Sequence, residues 1–163
     1  MRRTVLVTTN SLFVLCAALW TGAVFGVLVY VGPAALGALG SPGADLVDRV
    51  FGRVERAGTG LVVFLLAIGL FEALYRRHPE VKRILVVRLL VVLGGLLLTV
   101  YLAYPLASEL AMERSSDLMG RYPVLRVQFH RLAWLQVLTG SVALILTSVA
   151  AYAGVGRSDP ERS

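Results

Sequence analysis

Charged residues are missing from four long reaches of this chain and crowded between them. Residues 4–44, 57–71, 89–108 and 132–156 contain no Asp, Glu, Lys or Arg. A helix needs about 20 apolar residues to cross roughly 30 Å of hydrocarbon. The first, third and fourth reaches are long enough alone, and the second becomes so when extended through Glu72 to Tyr75. The pattern predicts an all-α, polytopic integral membrane protein: an antiparallel up-down four-helix bundle. Its spans fall at about residues 8–31, 57–75, 86–108 and 132–153, within one domain of residues 1–156 followed by a polar tail, 157–163.

Local signals refine each span. Pro33 lacks a backbone donor and is expected to disturb the end of the first helix, where Gly32, Gly37, Gly40, Pro42 and Gly43 make a turn-rich connection. The second helix is expected to begin before the bilayer, with Asp45 as its cap. Leu46, Val47, Val50, Phe51 and Val54 then recur at helical spacing, and Asp48, Arg49, Arg53, Glu55 and Arg56 fill the other positions. Residues 76–83 form a short hairpin loop. Pro105 is expected to kink the third helix, and Pro123 suits the first turn of the fourth. Helical extensions beyond the bilayer are therefore expected on one side. Small residues at four-residue spacing, Ala18, Gly22 and Gly26, mark a face where another helix can approach, as do Gly94 and Gly95.

Composition agrees with the pattern: 57% of residues are hydrophobic and mean hydropathy is +0.76. The formal charge of +6 raises the question of nucleic acid, but the Arg and Lys side chains cluster at helix ends, with no basic stripe or aromatic platform. Their partner is the headgroup layer of the lipid bilayer, and no nucleic acid is expected. Arg2, Arg3, Arg76, Arg77, Lys82, Arg83, Arg88, Arg157 and Arg162 fall on one side. Arg49, Arg53, Arg56, Arg114, Arg121, Arg126 and Arg131 fall on the other, diluted there by acids. The positive-inside rule then puts both termini in the cytoplasm and the protein in the cell (inner) membrane. The apolar character runs on past a signal-peptide length, so the first helix is expected to be retained.

Candidate chemistry is sparse. Glu72 is an ionisable group within a span, where such groups are costly and often functional. Arg76 lies four residues on and Arg88 at a comparable depth on the next helix, so a Glu72–Arg76 or Glu72–Arg88 ion pair is the plain expectation, with a proton or substrate relay as the sharper one. On the other side of the bilayer, Arg53, Glu55, Glu109 and His130 are expected to form a solute pocket at the helix ends, and Arg131 beside His130 is a further candidate polar residue. The two histidines, His78 and His130, fall at opposite membrane faces and cannot share a metal or haem. Cys16 is the single cysteine. No metal, no cofactor and no catalytic constellation is expected.

One run is distinctive. Leu19-Trp20-Thr21-Gly22, then Phe25, Pro33-Ala34 and Leu36, is followed by Phe51-Gly52-Arg53-Val54, and Phe129-His130-Arg131-Leu132 leads into the last span. This resembles the family related to transmembrane protein 205, whose bacterial members are largely described as a domain of unknown function. The motif residues are Trp20, Gly22, Pro33, Phe51, Phe129 and His130. Leu36 and the Leu135-Gln136 pair depart from it. The resemblance implies four membrane helices and no stated activity. The Trp20-Thr21-Gly22 opening is more distantly similar to copper-resistance D-type membrane proteins, but the His and Met residues that copper requires are missing. Two roles follow as expectations: a small bundle that binds, senses or moves a small solute as a homo-oligomer, or a non-catalytic accessory subunit of a larger membrane complex.

Overall fold

The computed structural model describes residues 2–39, 41–76, 79–103, 105–106, 109 and 122–155, and all of the regular structure in them is helical. His78, Arg77, Arg114, Arg121 and the tail 157–163 lie outside the described residues, as do the side chains of Arg2, Arg3 and Asp45. The helices are α1 (Arg2–Gly26), α2 (Gly32–Leu39), α3 (Ser41–Tyr75), α4 (Pro79–Leu98) and α5 (Tyr122–Val155). Four helical stretches, Val5–Leu39, Leu46–Tyr75, Pro79–Ala103 and Val124–Ala153, are long and apolar enough to cross a membrane.

Pro33 does not end the first helix. Between α1 and α2 the chain widens into one π-helical turn, Val27–Val31, in which the Gly32 N–H reaches back to the Val27 carbonyl. A wider turn gives the backbone a way around the missing proline donor without breaking. The same device follows α4: Thr99–Ala103 is π-helical, just ahead of Pro105. The second helix starts at Ser41, ahead of the expected cap at Asp45. Gly43 lies under the Ala35 carbonyl, where a methyl group would collide, so glycine is what lets α2 fold back against the start of α3.

The helices touch selectively. α1 packs on α3 and α5, and α4 packs on the same two. Each buries one stripe with steps of four and three residues. On α3 the stripe is Phe51, Glu55, Gly58, Val62, Leu65, Gly69 and Glu72. On α4 it is Val81, Leu85, Arg88, Val92, Gly95 and Thr99. On α5 it is Phe129, Ala133, Gln136, Gly140, Ala143, Thr147 and Ala150, and on α1 Phe13, Ala17, Trp20, Val24 and Val27. Alternating steps of four and three average 3.5 residues, the period of a coiled-coil seam. Outside the stripes the surface is greasy: Leu15, Leu19, Leu74, Leu90, Leu138, Ile145 and Tyr152 are all more than half exposed. In water such a surface would aggregate, whereas in lipid it is neutral.

Small residues sit where the seam is tightest. A methyl placed on Gly95 would lie 3.0 Å from Trp20 Cη2 and 3.0 Å from Thr139 Cγ2, and one on Gly58 would lie 3.1 Å from Trp20 Cδ1. The Trp20 indole therefore bridges α3 and α4 across the interior. Of the expected packing residues, Gly95 is inside. Ala18, Gly22 and Gly94 face outward, Gly26 is half-buried, and a methyl on any of the three glycines would meet nothing within 4 Å.

Candidate functional site

Six polar or charged side chains occupy positions on the inner stripes: Glu55, Glu72, Arg88, Thr99, Gln136 and Thr147. They sort into two layers. Arg88 to Thr99 on α4, and Gln136 to Thr147 on α5, each span eleven residues, or about 16 Å along a helix.

The first layer joins Glu72, Arg88 and Thr147. The Arg88 guanidinium, 0% exposed, donates to Glu72 Oε2 at 2.9 Å and to Thr147 Oγ1 at 3.3 Å. The Thr147 hydroxyl donates to the Ala143 carbonyl at 2.7 Å, which leaves its oxygen free to accept from Arg88. Arg88 also lies over the Phe13 ring, 3.8 Å from the centroid, where the negative ring face attracts a cation. Arg76, four residues along α3, approaches Glu72 Oε1 at 3.5 Å. Both carboxylate oxygens of Glu72 thus face a guanidinium. Removing charges from water is costly, and this layer offsets the cost with a paired charge, a hydroxyl and an aromatic face. The expected Glu72–Arg76 and Glu72–Arg88 contacts are both present.

The second layer joins Glu55, Gln136 and Thr99, and it is poorer. Gln136 Nε2 donates to Glu55 Oε2 at 2.9 Å and to Thr99 Oγ1 at 3.0 Å. Thr99 Oγ1 donates to the Gly95 carbonyl at 2.8 Å. Since that hydroxyl proton is spent, Thr99 must accept, and this fixes which end of the Gln136 amide faces it. The amide oxygen Oε1 of Gln136 then has no partner, and neither has Glu55 Oε1. Among the described residues no guanidinium or ammonium forms an ion pair with Glu55; the salt bridges there belong to Glu72. Phe51 and Phe129 close this layer from the helix-start side, with ring centroids 4.9 Å apart in an edge-to-face contact. Trp20 closes it from the other.

The residues of the expected solute pocket divide by exposure. Arg53, Glu109, His130 and Arg131 are exposed, whereas Glu55 turns inward. His130 accepts a hydrogen bond from Trp134 Nε1 at 3.1 Å, one turn along its own helix. Arg131 lines an open cleft of about 330 Å³ with Leu102, Leu106, Gln128 and Leu132. Leu102 and Leu132 lie about one helical turn from Thr99 and Gln136, so the cleft approaches the second layer from the side.

Gln136, Thr99 and Thr147 are interior residues that composition and motif do not single out, and Glu55 is expected at a helix-end pocket rather than on the inner seam. One signal would have found Glu55: it follows Phe51 by four and precedes Gly58 by three, in step with Val62 and Leu65. Gln136, Thr99 and Thr147 lie in helices that are apolar on every side, where periodicity carries little information. No family model matches this chain, nor does any of the curated proteins or solved structures with which it was compared.

Proposed function

We propose that this chain is a non-enzymatic integral protein of the cell's inner membrane that binds and moves a small solute through a polar interior. The four long apolar helices support its membrane residence. The antiparallel up-down order is supported by the contacts. Phe13 and Arg88 share the level of Glu72 and Thr147, while Trp20 and Gly95 share the level of Gly58 and Thr139, so α1 and α4 run one way and α3 and α5 the other. α3 and α5, of 35 and 34 residues, are each about 50 Å long, well beyond a hydrocarbon layer of about 30 Å. Their first turns supply the extension on the outer side, with both chain termini in the cytoplasm.

The observation that carries the solute reading is that, among the described residues, the six buried polar and charged side chains all lie on the inner seam. Polar groups in hydrocarbon are expensive and mark ion or substrate paths. The resemblance to the family related to transmembrane protein 205 belongs to the same proposal: Trp20, Phe51 and Phe129 of its motif all frame the second layer. Purified protein in sealed vesicles tests the reading by osmotic reswelling in sodium chloride, potassium chloride and glycerol. At least one of these probes is expected to enter faster than into protein-free vesicles. Equal rates for all of them overturn the solute reading.

A second reading, the accessory subunit, is favoured by the Ala18–Gly22–Gly26 ridge, which none of the described helices covers at Ala18 and Gly22. A bulky Gly22→Leu substitution on that ridge is expected to break the native assembly. Mass measurement after gentle solubilisation separates the readings. A homo-oligomer that becomes a monomer in the variant supports the first, and loss of a fixed foreign subunit supports the second.

A further inference from the structure

The two polar layers differ in how their carboxylates are satisfied. Glu72 meets two guanidinium groups and is closed. Glu55, 2% exposed, receives a single hydrogen bond from a neutral amide. Its second oxygen and the Gln136 amide oxygen are both buried acceptors without a donor. Two partnerless buried acceptors in one hydrogen-bonded network are a costly arrangement. A third lies nearby: Thr21 Oγ1 is buried and unpaired, against Gly140, one turn along α5 from Gln136. What is missing from this layer is positive charge.

The chain itself does not supply it from the described residues. The span Val5–Leu39 carries no charged residue; its titratable side chains are buried Cys16 and exposed Tyr30. α4 carries Lys82 and Arg83, both exposed and at least sixteen residues before Thr99, and Arg88, which is engaged with Glu72 a layer away. On α3 Arg53 and Arg56 are exposed. On α5 His130 and Arg131 are exposed and Arg126 is half-buried, ten residues before Gln136.

The geometry points to a binding site for a small monovalent cation, a proton or a sodium ion, at Glu55, Gln136 and Thr99. The proposal rests on the reading of the chain as a solute-handling membrane protein and names the class of solute. Oxygen donors from three helices are what a hard cation selects. A proton would sit on Glu55 Oε1 and turn that oxygen into the donor the cluster lacks. A sodium ion would take the carboxylate and the Gln136 amide oxygen together. Thr99 opens the π-helical turn that follows α4, the kind of irregularity that recurs at functional sites, and the Arg131 cleft is lined by Leu102 and Leu132, each about one helical turn from a residue of the site.

Thermal unfolding of the full chain in detergent tests the site. Sodium chloride is compared with N-methylglucamine chloride at equal ionic strength, in mildly acid and mildly alkaline buffer. For the native chain, acid or sodium is expected to raise the midpoint by on the order of 5 °C, as a ligand far above its dissociation constant does. Glu55→Gln removes the charge and keeps the volume. It is expected to unfold above the native chain in sodium-free alkaline buffer and to respond to neither cation. The exposed control Glu109→Gln keeps the native response. A rise with sodium in alkaline buffer identifies the alkali ion, and a rise with acid alone identifies the proton. A native chain indifferent to both, or a Glu55→Gln chain that shifts as far as the native one, overturns the site. Vesicles that pass no probe while Glu55 still controls the midpoint leave the cation site standing and remove the transport reading.

Discussion

Replacing Arg88 with Met is expected to be among the most destabilising single substitutions in this protein. Met fills much of the volume and leaves Glu72 buried, with only the more distant Arg76 contact at 3.5 Å. Removing one partner of a buried ion pair costs about 3–5 kcal/mol, because the remaining charge is stranded. Loss of the Phe13 cation–π contact adds about 1 kcal/mol. The expected readouts are a large fall in the denaturation midpoint and in the yield of folded protein. The double variant Glu72→Gln, Arg88→Met removes both charges and is expected to regain most of the loss. An Arg88→Met midpoint at the native value would mean that the pair is not what holds these helices in register.

This result bears on which layer can work. Glu72 and Arg88 bond each other, Thr147, Phe13 and Arg76, so their geometry suits a fixed tie between α3, α4 and α5. A relay through Glu72 would have to break that tie in each cycle. Glu55 has no such commitment. The division of labour is a tie at one level and an exchangeable charge at the other.

The tie was legible in the sequence, whereas Glu55 was legible as a helix-end pocket residue and not as a buried one. Glu72 stands out because its surroundings are uncharged, and Arg76 and Arg88 follow at spacings that α3 and the next hairpin arm bring together. Glu55 is camouflaged. It sits among Asp48, Arg49, Arg53 and Arg56, and reads as one more solvated charge on an amphipathic start. Only the register set further along, through Val62 and Leu65, turns it inward. Gln136 and Thr99 are hidden for the opposite reason: every face around them is apolar, so no contrast marks the seam. The four helices themselves were plain, because hydrophobic length alone encodes them. Their continuation past Pro33 was not, since a π turn depends on how neighbouring backbone carbonyls are re-bonded, which residue type does not report.

Trp20→Ala is expected to join the two layers. The indole is 1% exposed and wedged between Gly58 and Gly95, both of which lack the side chain that would otherwise fill that space. Truncating a buried aromatic to Ala typically costs about 3–5 kcal/mol, through lost burial and the cavity left behind. Here the cavity would open on the Arg88 side of the Glu55 layer, which is lined further along by Ala17, Val62, Leu65, Val92 and Ala143. Two effects are therefore predicted together: a lowered unfolding midpoint, and faster sodium or proton entry into reconstituted vesicles than with the native chain. Trp20→Phe, which restores most of the volume, should recover much of both. Adding Glu55→Gln to Trp20→Ala should slow the entry while leaving the lowered midpoint largely in place. A cavity is a packing defect whatever lines it, but a cation crosses apolar surroundings only where an oxygen cluster can take it up. If Trp20→Ala vesicles stay as tight as native ones, Trp20 is a core residue and the barrier between the layers lies elsewhere on the seam.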